Sequence, residues 1–143
     1  MKSDRAGDTP ERILDRAERT LRRSGLAGLS LGPLAEAVGV RKPSLFHHFR
    51  DKDALTLAVV ERYSTRFMAA LDRIVDARAA GRTKLRRLID VFAAGLVVDG
   101  ESGSIEICLC GALTGELQEL DERSQSAVRA FFEQLEERAT RIL

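Results

Sequence analysis

Apolar residues recur along this chain at intervals of three and four, and the recurrence divides it into seven amphipathic helices. Thr9-Pro10-Glu11 reads as a helix start, with Thr9 at the cap and proline in the first turn, where its missing N–H leaves no bond unmade. Ile13, Leu14, Ala17 and Leu21 follow on one face, and Gly25 ends the run. Ser30 caps a short second helix carrying Leu31, Leu34, Ala35 and Val38, closed by Gly39. A third begins at Lys42-Pro43 and buries Leu45 and Phe49. Asp51 caps a long fourth, whose stripe Leu55, Val59, Tyr63, Phe67, Leu71, Val75 keeps a four-residue step until Gly81. Leu85, Leu88, Ile89, Phe92 and Leu96 predict a fifth helix, ending near Asp99-Gly100. Gly103-Ser104 is expected to open a sixth with Ile105, Leu109, Leu113, Leu117 and Leu120 on one face. Asp121 starts a seventh, with Val128, Phe131, Phe132, Leu135 and Ile142. No segment alternates with period two over a strand length, so the expected fold is all-α.

The segment from Leu31 to Phe49 has the layout of a helix-turn-helix. Such a motif needs a small residue where the first helix touches the second, which Ala35 supplies. Four residues later the chain must reverse through a left-handed conformation, which Gly39 adopts without strain. Val38, Val40 and Leu45 fill the wedge, leaving Arg41, Lys42, Ser44, Phe46 and His47 on the outer side and N-terminal end of the second helix. A helix of this size fits the DNA major groove. Spacing alone is equally met by an ordinary helical hairpin with glycine in its turn.

Charge adds to that picture. Residues 1–50 carry a net +4, residues 51–98 a net +3 and residues 99–143 a net −6, inside an overall +1. A basic front suits a polyanionic partner, although charged helix faces usually just meet water. The hydrophobic fraction of 44% and the charged fraction of 31% are those of a globular chain, not a disordered one. The N-terminal nine residues are polar and lack an export signal's apolar core, and the longest apolar run, Val91 to Val98, is too short to span a bilayer. With only two cysteines, the expected compartment is cytoplasmic and the thiols reduced.

The stretch Ile13-Leu14 to Gly25, then Ser30 followed by Leu34-Ala35 and Val38-Gly39-Val40, then Lys42-Pro43-Ser44-Leu45-Phe46-His47-His48-Phe49, then Lys52 and Leu55, resembles the N-terminal domain of TetR-family transcriptional regulators. Cys108-Leu109-Cys110-Gly111 with Glu116-Leu117 is similar, more loosely, to a stretch of the family's ligand-binding domains. The resemblance implies a three-helix DNA-binding domain over residues 1–50 and a helical ligand-binding and dimerisation bundle over 51–143. It implies a homodimeric repressor on a pseudo-palindromic double-stranded operator, released by a small-molecule or electrophile effector. Ser30, Arg41, Lys42, Pro43, Ser44, Phe46 and His47 would meet DNA, and Lys52 would hold a phosphate with help from its helix N-terminus. Three departures stand out. Phe46 replaces a common tyrosine, Arg41 replaces a small capping residue, and the sequence stops before the two long helices that usually build the dimer bundle.

Other chemistry is thinly represented. His47 and His48 are adjacent, so on a helix they diverge by about 100° and cannot chelate one metal together. Cys108 and Cys110, two apart, would lie on nearly opposite sides of a helix, each by default a small hydrophobe, with a regulatory thiol as the alternative. The Tyr63, Phe67 and Phe92 stripe reads as core, and with Cys108 and Leu109 it is also the candidate lining of an effector site. Arg22-Arg23 and Arg86-Arg87 read as solvated faces, with phosphate contact the alternative for the first pair. Gly100-Glu-Ser-Gly-Ser104 fails the nucleophile-elbow pattern, and no phosphate loop, dinucleotide fingerprint or zinc motif is present. No enzyme activity, cofactor or metal is expected.

Overall fold

The computed structural model describes residues 8–143. The polar segment before them, read above as lacking an export signal, lies outside that range. Helix α1 spans Thr9–Ser24, α2 Leu31–Val38, α3 Lys42–His48, α4 Lys52–Val75, α5 Gly81–Ala94, α6 Leu109–Thr114 and α7 Glu122–Ile142. A two-residue hairpin, β1 Val97–Val98 with β2 Ile105–Glu106, interrupts the helices, and a 3-10 turn covers Leu117–Glu119. None of the described helices is long and apolar enough to cross a membrane.

The head is built as the apolar spacing requires. Ile13, Ala17 and Leu21 of α1 are fully buried, Leu34, Ala35 and Val38 of α2 nearly so, and Leu45 of α3 completely. The helix start is shifted by one residue: Asp8 occupies the cap position of α1 and Thr9 is already helical. Phe49, expected to be buried, is only half-buried and packs against the edge of the core.

Helix α4 begins as its sequence dictates, with Asp51 Oδ1 accepting the Ala54 N–H at 2.8 Å. That bond holds the Asp51 carboxyl below the ordinary carboxylate range. Helix α4 runs beside α7 in the same direction. Leu57 and Glu61 face Glu122, Arg123 and Ser126 near one end. Near the other, Asp72 holds Arg138 by two bonds of 2.7 and 3.2 Å. Between them Val59, Val60, Leu71, Leu109, Leu113 and Phe131 are fully buried. The apolar cluster is continuous from Ile13 to Ile142, so α4 serves the head and the body alike.

The expected sixth helix does not start at Gly103. Residues 99–104 form a turn in which Asp99 accepts from the Glu101 N–H at 3.0 Å and the Ser102 hydroxyl at 2.5 Å. The hydroxyl is the larger reason the Asp99 carboxyl titrates low. Gly103 sits at φ +68°. Short polar side chains that bond neighbouring backbone compete with helix in this way. The turn pairs Val97 with Glu106 and Val98 with Ile105 in antiparallel register. Glu106 is pinned by Arg22 and Arg23, which draws β2 against α1. The fifth helix also differs from expectation. It stops at Ala94, leaving Leu96 outside and 53% exposed, and of its apolar stripe only Leu88 is buried.

Candidate nucleic-acid interface

The turn between α2 and α3 has the geometry a helix-turn-helix requires. Gly39 lies at φ +78°, ψ +33°, and its N–H donates to the carbonyls of Ala35 at 3.0 Å and Glu36 at 3.1 Å. The Val40 N–H follows onto Ala35 at 2.9 Å. A Cβ at Gly39 would meet nothing within 4 Å, so glycine is needed there for its conformation and not for space. The reversal leaves Leu45 facing inward and turns Arg41, Lys42, Pro43, Ser44, Phe46 and His47 outward, all exposed. Phe46, at 45% exposed, is a large apolar side chain on an otherwise polar surface. His48 is half-buried, and its ring meets that of His47 edge to face at 5.3 Å.

Lys42 does more than its place on α3 suggests. A Cβ built on Gly32 would lie 3.1 Å from Lys42 Cε and 3.3 Å from Nζ. The ammonium therefore rests over Gly32 in the first turn of α2, whose cap residue, Ser30, makes no side-chain cap bond. A cation set against exposed helix-start N–H groups is a phosphate-binding arrangement. Gly32 was not among the residues singled out from sequence. Its signal was its place in the first turn of a helix that also begins with a capping serine.

Lys52 is half-buried at the start of α4. The dipole invoked for it is already answered, because the Asp51 carboxylate caps that end and pairs with Arg50 at 3.2 Å. Lys52 acts there as a point charge. Arg22, read as part of a solvated face, is instead a strut between head and body. Its Nε donates to the Ile107 carbonyl at 2.7 Å, and a second nitrogen donates to the Gly95 carbonyl. Arg23 pairs with Glu106 at 2.9 Å and stays 43% exposed. A second strut, invisible in the sequence, is Glu116, whose carboxylate accepts from the Leu26 N–H at 2.5 Å and the Ala27 N–H at 3.1 Å.

In the body, the candidate effector residues converge. Phe67 lies 5.8 Å from Tyr63, 5.4 Å from Phe92 and 5.2 Å from Phe131, centroid to centroid. Phe131 and Phe132 complete this cluster, although the sequence placed them only on a helix face. Leu109 is fully buried. Cys108 caps α6 in an extended conformation and does not lie on the helix, so the two cysteines are not on opposite sides of one helix as expected. Cys108 is half-buried and Cys110 fully buried, both as free thiols. Burial pushes the Tyr63 phenol well above its ordinary range, and the neighbouring Cys108 adds to the shift. Burial likewise raises the Cys110 thiol.

These features define a helix-turn-helix protein with a helical body. Residues 13–59, the head and the start of α4, match the family described as bacterial regulatory proteins, tetR family. It is 30% identical over 122 residues to the HTH-type transcriptional repressor NemR of Escherichia coli, a match covering 85% of this chain and 60% of that protein. The chain thus spans about three fifths of the length of that relative. The crystal structure of E. coli NemR in its reduced form superposes with a TM-score of 0.76 at 25% identity, covering 89% of this chain and 65% of that one. A TetR-family regulator from Agrobacterium tumefaciens shares the fold, with a TM-score of 0.84 at 24% identity over 96% of this chain and 70% of that one.

Proposed function

We propose that this chain is a sequence-specific DNA-binding transcriptional regulator of the repressor type. Residues 1–50 form its reading head, and residues 51–143 form a body that receives an effector and contributes to dimerisation. The observation that carries the reading is the left-handed turn at Gly39, which presents Arg41, Lys42, Ser44, Phe46 and His47 outward while laying the Lys42 ammonium over the start of α2. Helix α3 enters the major groove, where Lys42, Ser44, Phe46 and His47 face bases and backbone. Arg41, Pro43, Ser30 and Lys52 border the strand. A homodimer on a pseudo-palindromic operator follows from the one-helix-per-half-site geometry. The protein works in the cytoplasm, where bacterial DNA is.

The effector is a small molecule or an electrophile that meets Tyr63, Phe67, Phe92, Cys108 and Leu109. The accessible thiol is Cys108, and its contact with Tyr63 couples any change at sulfur to α4. The similar E. coli structure is of a reduced form, and this chain carries two free thiols.

The test is selection of bound duplexes from a random-sequence pool, followed by titration of the enriched site at several salt concentrations. Lys42→Ala is expected to weaken binding and reduce the slope of log K against log salt by about 0.9. Unchanged sequence preference when Lys42→Ala and His47→Ala are combined would overturn the site assignment. Solution mass measured with and without the enriched duplex tests the dimer.

A further inference from the structure

Helix α1 carries its charges on two separate faces. Glu11, Asp15 and Glu18 lie along one, and Arg12, Arg16, Arg19 and Arg23 recur at steps of four, three and four along the next. The acidic face is consumed within the fold. Arg62 of α4 pairs with Glu11 at 2.8 Å, Asp15 at 2.9 Å and Glu18 at 3.1 Å, and Arg66 meets Glu18 at 2.5 Å. Arg62 and Arg66 offset two of these three negative charges, and the four arginines remain the larger charge of the helix surface.

The two ends of the arginine row are anchored. Arg12 donates to the Val38 carbonyl at 2.5 Å, beside the Gly39 turn, and Arg23 pairs with Glu106 at the hairpin. Arg16 and Arg19, between them, are exposed, and their guanidinium groups have no hydrogen bond or ion pair among the described residues. Beside the row the surface is concave. One hollow of about 250 Å³ lies between Arg12, Asp15, Arg16, Arg19 and the end of α2 at Ala37 and Val38, with the Asp15 carboxylate answered by Arg62 at 2.9 Å. A second links Arg16 and Thr20 to Ser30, Pro33 and Ala37. A third, of about 210 Å³, lies between Arg16, Arg19, Thr20 and Arg23. The hollows share Arg16 and follow one another beside α2 from its end at Val38 to its start at Ser30, forming a channel.

We infer that this arginine-walled channel between α1 and α2 is a second phosphate-binding surface, which takes a further stretch of duplex DNA backbone alongside the one met by α3. Eleven residues separate Arg12 from Arg23, about 16 Å of helix, long enough to meet about two to three successive phosphates of one strand. Guanidinium groups suit this task because their fixed fork of donors fits a phosphate in two-point fashion. The inference rests on the proposed DNA-reading function and extends its footprint to residues outside the helix-turn-helix.

The full chain is titrated with a mixed-sequence duplex of about 40 base pairs at salt concentrations from 50 to 200 mM. Each phosphate contact contributes about 0.9 to the salt slope, so Arg16→Gln combined with Arg19→Gln is expected to lower it by about 1.8. Across that salt range the wild type then loses about tenfold more affinity than the double variant. Glutamine keeps helix propensity, and neither side chain holds a bond within the fold, so folding is expected to be intact by circular dichroism. Arg86→Gln with Arg87→Gln removes the same charge from α5 and is expected to leave the slope unchanged. An equal fall in both double variants means net charge alone is read, and it overturns the inference. So does an unchanged slope in the Arg16, Arg19 variant while Lys42→Ala still lowers it. An unchanged slope with Lys42→Ala, or no salt-dependent binding by the wild type, sinks the DNA-reading function itself and the inference with it.

Discussion

Glu116 and Gly25 form a clamp whose strength a double-mutant cycle can measure. The Glu116 carboxylate accepts the N–H groups of Leu26 and Ala27, just beyond α1. Gly25 stands at φ +66°, ψ −168°, a region that is nearly glycine-only. A Cβ there would lie 2.3 Å from Glu116 Oε2. Hydrogen bonds to charged groups contribute about 1.5–3 kcal/mol, so Glu116→Ala is expected to cost about 2–3 kcal/mol. Gly25→Ala adds backbone strain of about 1–3 kcal/mol and also expels the carboxylate, so its total is about 3–6 kcal/mol. In the Glu116→Ala background the expulsion has nothing left to remove, and Gly25→Ala is expected to cost the strain alone. The two effects therefore overlap by roughly the strength of the clamp, about 2 kcal/mol. Urea unfolding of the four proteins at one pH reads this directly. Strictly additive costs would refute the clamp, as would a Glu116→Ala cost below about 0.5 kcal/mol.

Three other outcomes follow from single features. Gly39→Ala meets open space but must hold φ +78°, so it is expected to lose about 1–2 kcal/mol from conformation alone, read as a lower thermal midpoint with native helicity retained. The Asp72 carboxyl is held below its ordinary value chiefly by its hydrogen bond with Arg138. Its contribution is complete above about pH 4 and lost as pH falls through the lower folded value, so Asp72→Asn narrows the gap in urea midpoint between pH 6 and pH 3. Cys110 is buried and its thiol raised, whereas Cys108 is half-exposed, so a disulfide reagent is expected to titrate one fast thiol in the native protein. Cys108→Ser removes that fast phase, and two equal fast thiols would contradict the burial of Cys110.

The head was legible because each of its parts is a local rule. A small residue at Ala35, a glycine at the reversal and apolar residues at helical spacing all act within one or two turns of chain. The same holds for Asp51 at the start of α4, whereas Ser30 takes the cap position without making the cap bond. The body was less legible where long-range partners decide. Ile105 and Leu109 have helical spacing, yet Glu106 between them is drawn to Arg22 and Arg23, over 80 residues earlier, and the Asp99 turn offers the backbone another way to bond. Spacing cannot show that competition. The stripe on α5 failed in the opposite sense. Leu85, Ile89 and Phe92 repeat like core residues but are 39, 59 and 40% exposed, because periodicity reports an apolar face and not what covers it. Arg22 was misread for a related reason: a doublet of arginines looks solvated until its acceptors, the Gly95 and Ile107 carbonyls, arrive from the far part of the chain.

Head and body are thus joined at α4, where they share a core, and at two polar struts on the same side. The strut of Arg22 holds the entry and exit of the hairpin at Gly95 and Ile107, and the strut of Glu116 holds the link that leads from α1 to α2. Cys108 follows the first strut by one residue and is separated from the second by α6 alone. A helix of six residues with Leu109, Cys110 and Leu113 buried moves as a unit, because sliding any one of them opens a void in a close-packed core. In the proposed effector response, a displacement of Cys108 would reach Leu26 and Ala27 through α6 and the Glu116 bonds. Those residues lead into Leu29 and Ser30, where α2 begins. The Glu116 and Gly25 cycle measures the strength of this polar connection.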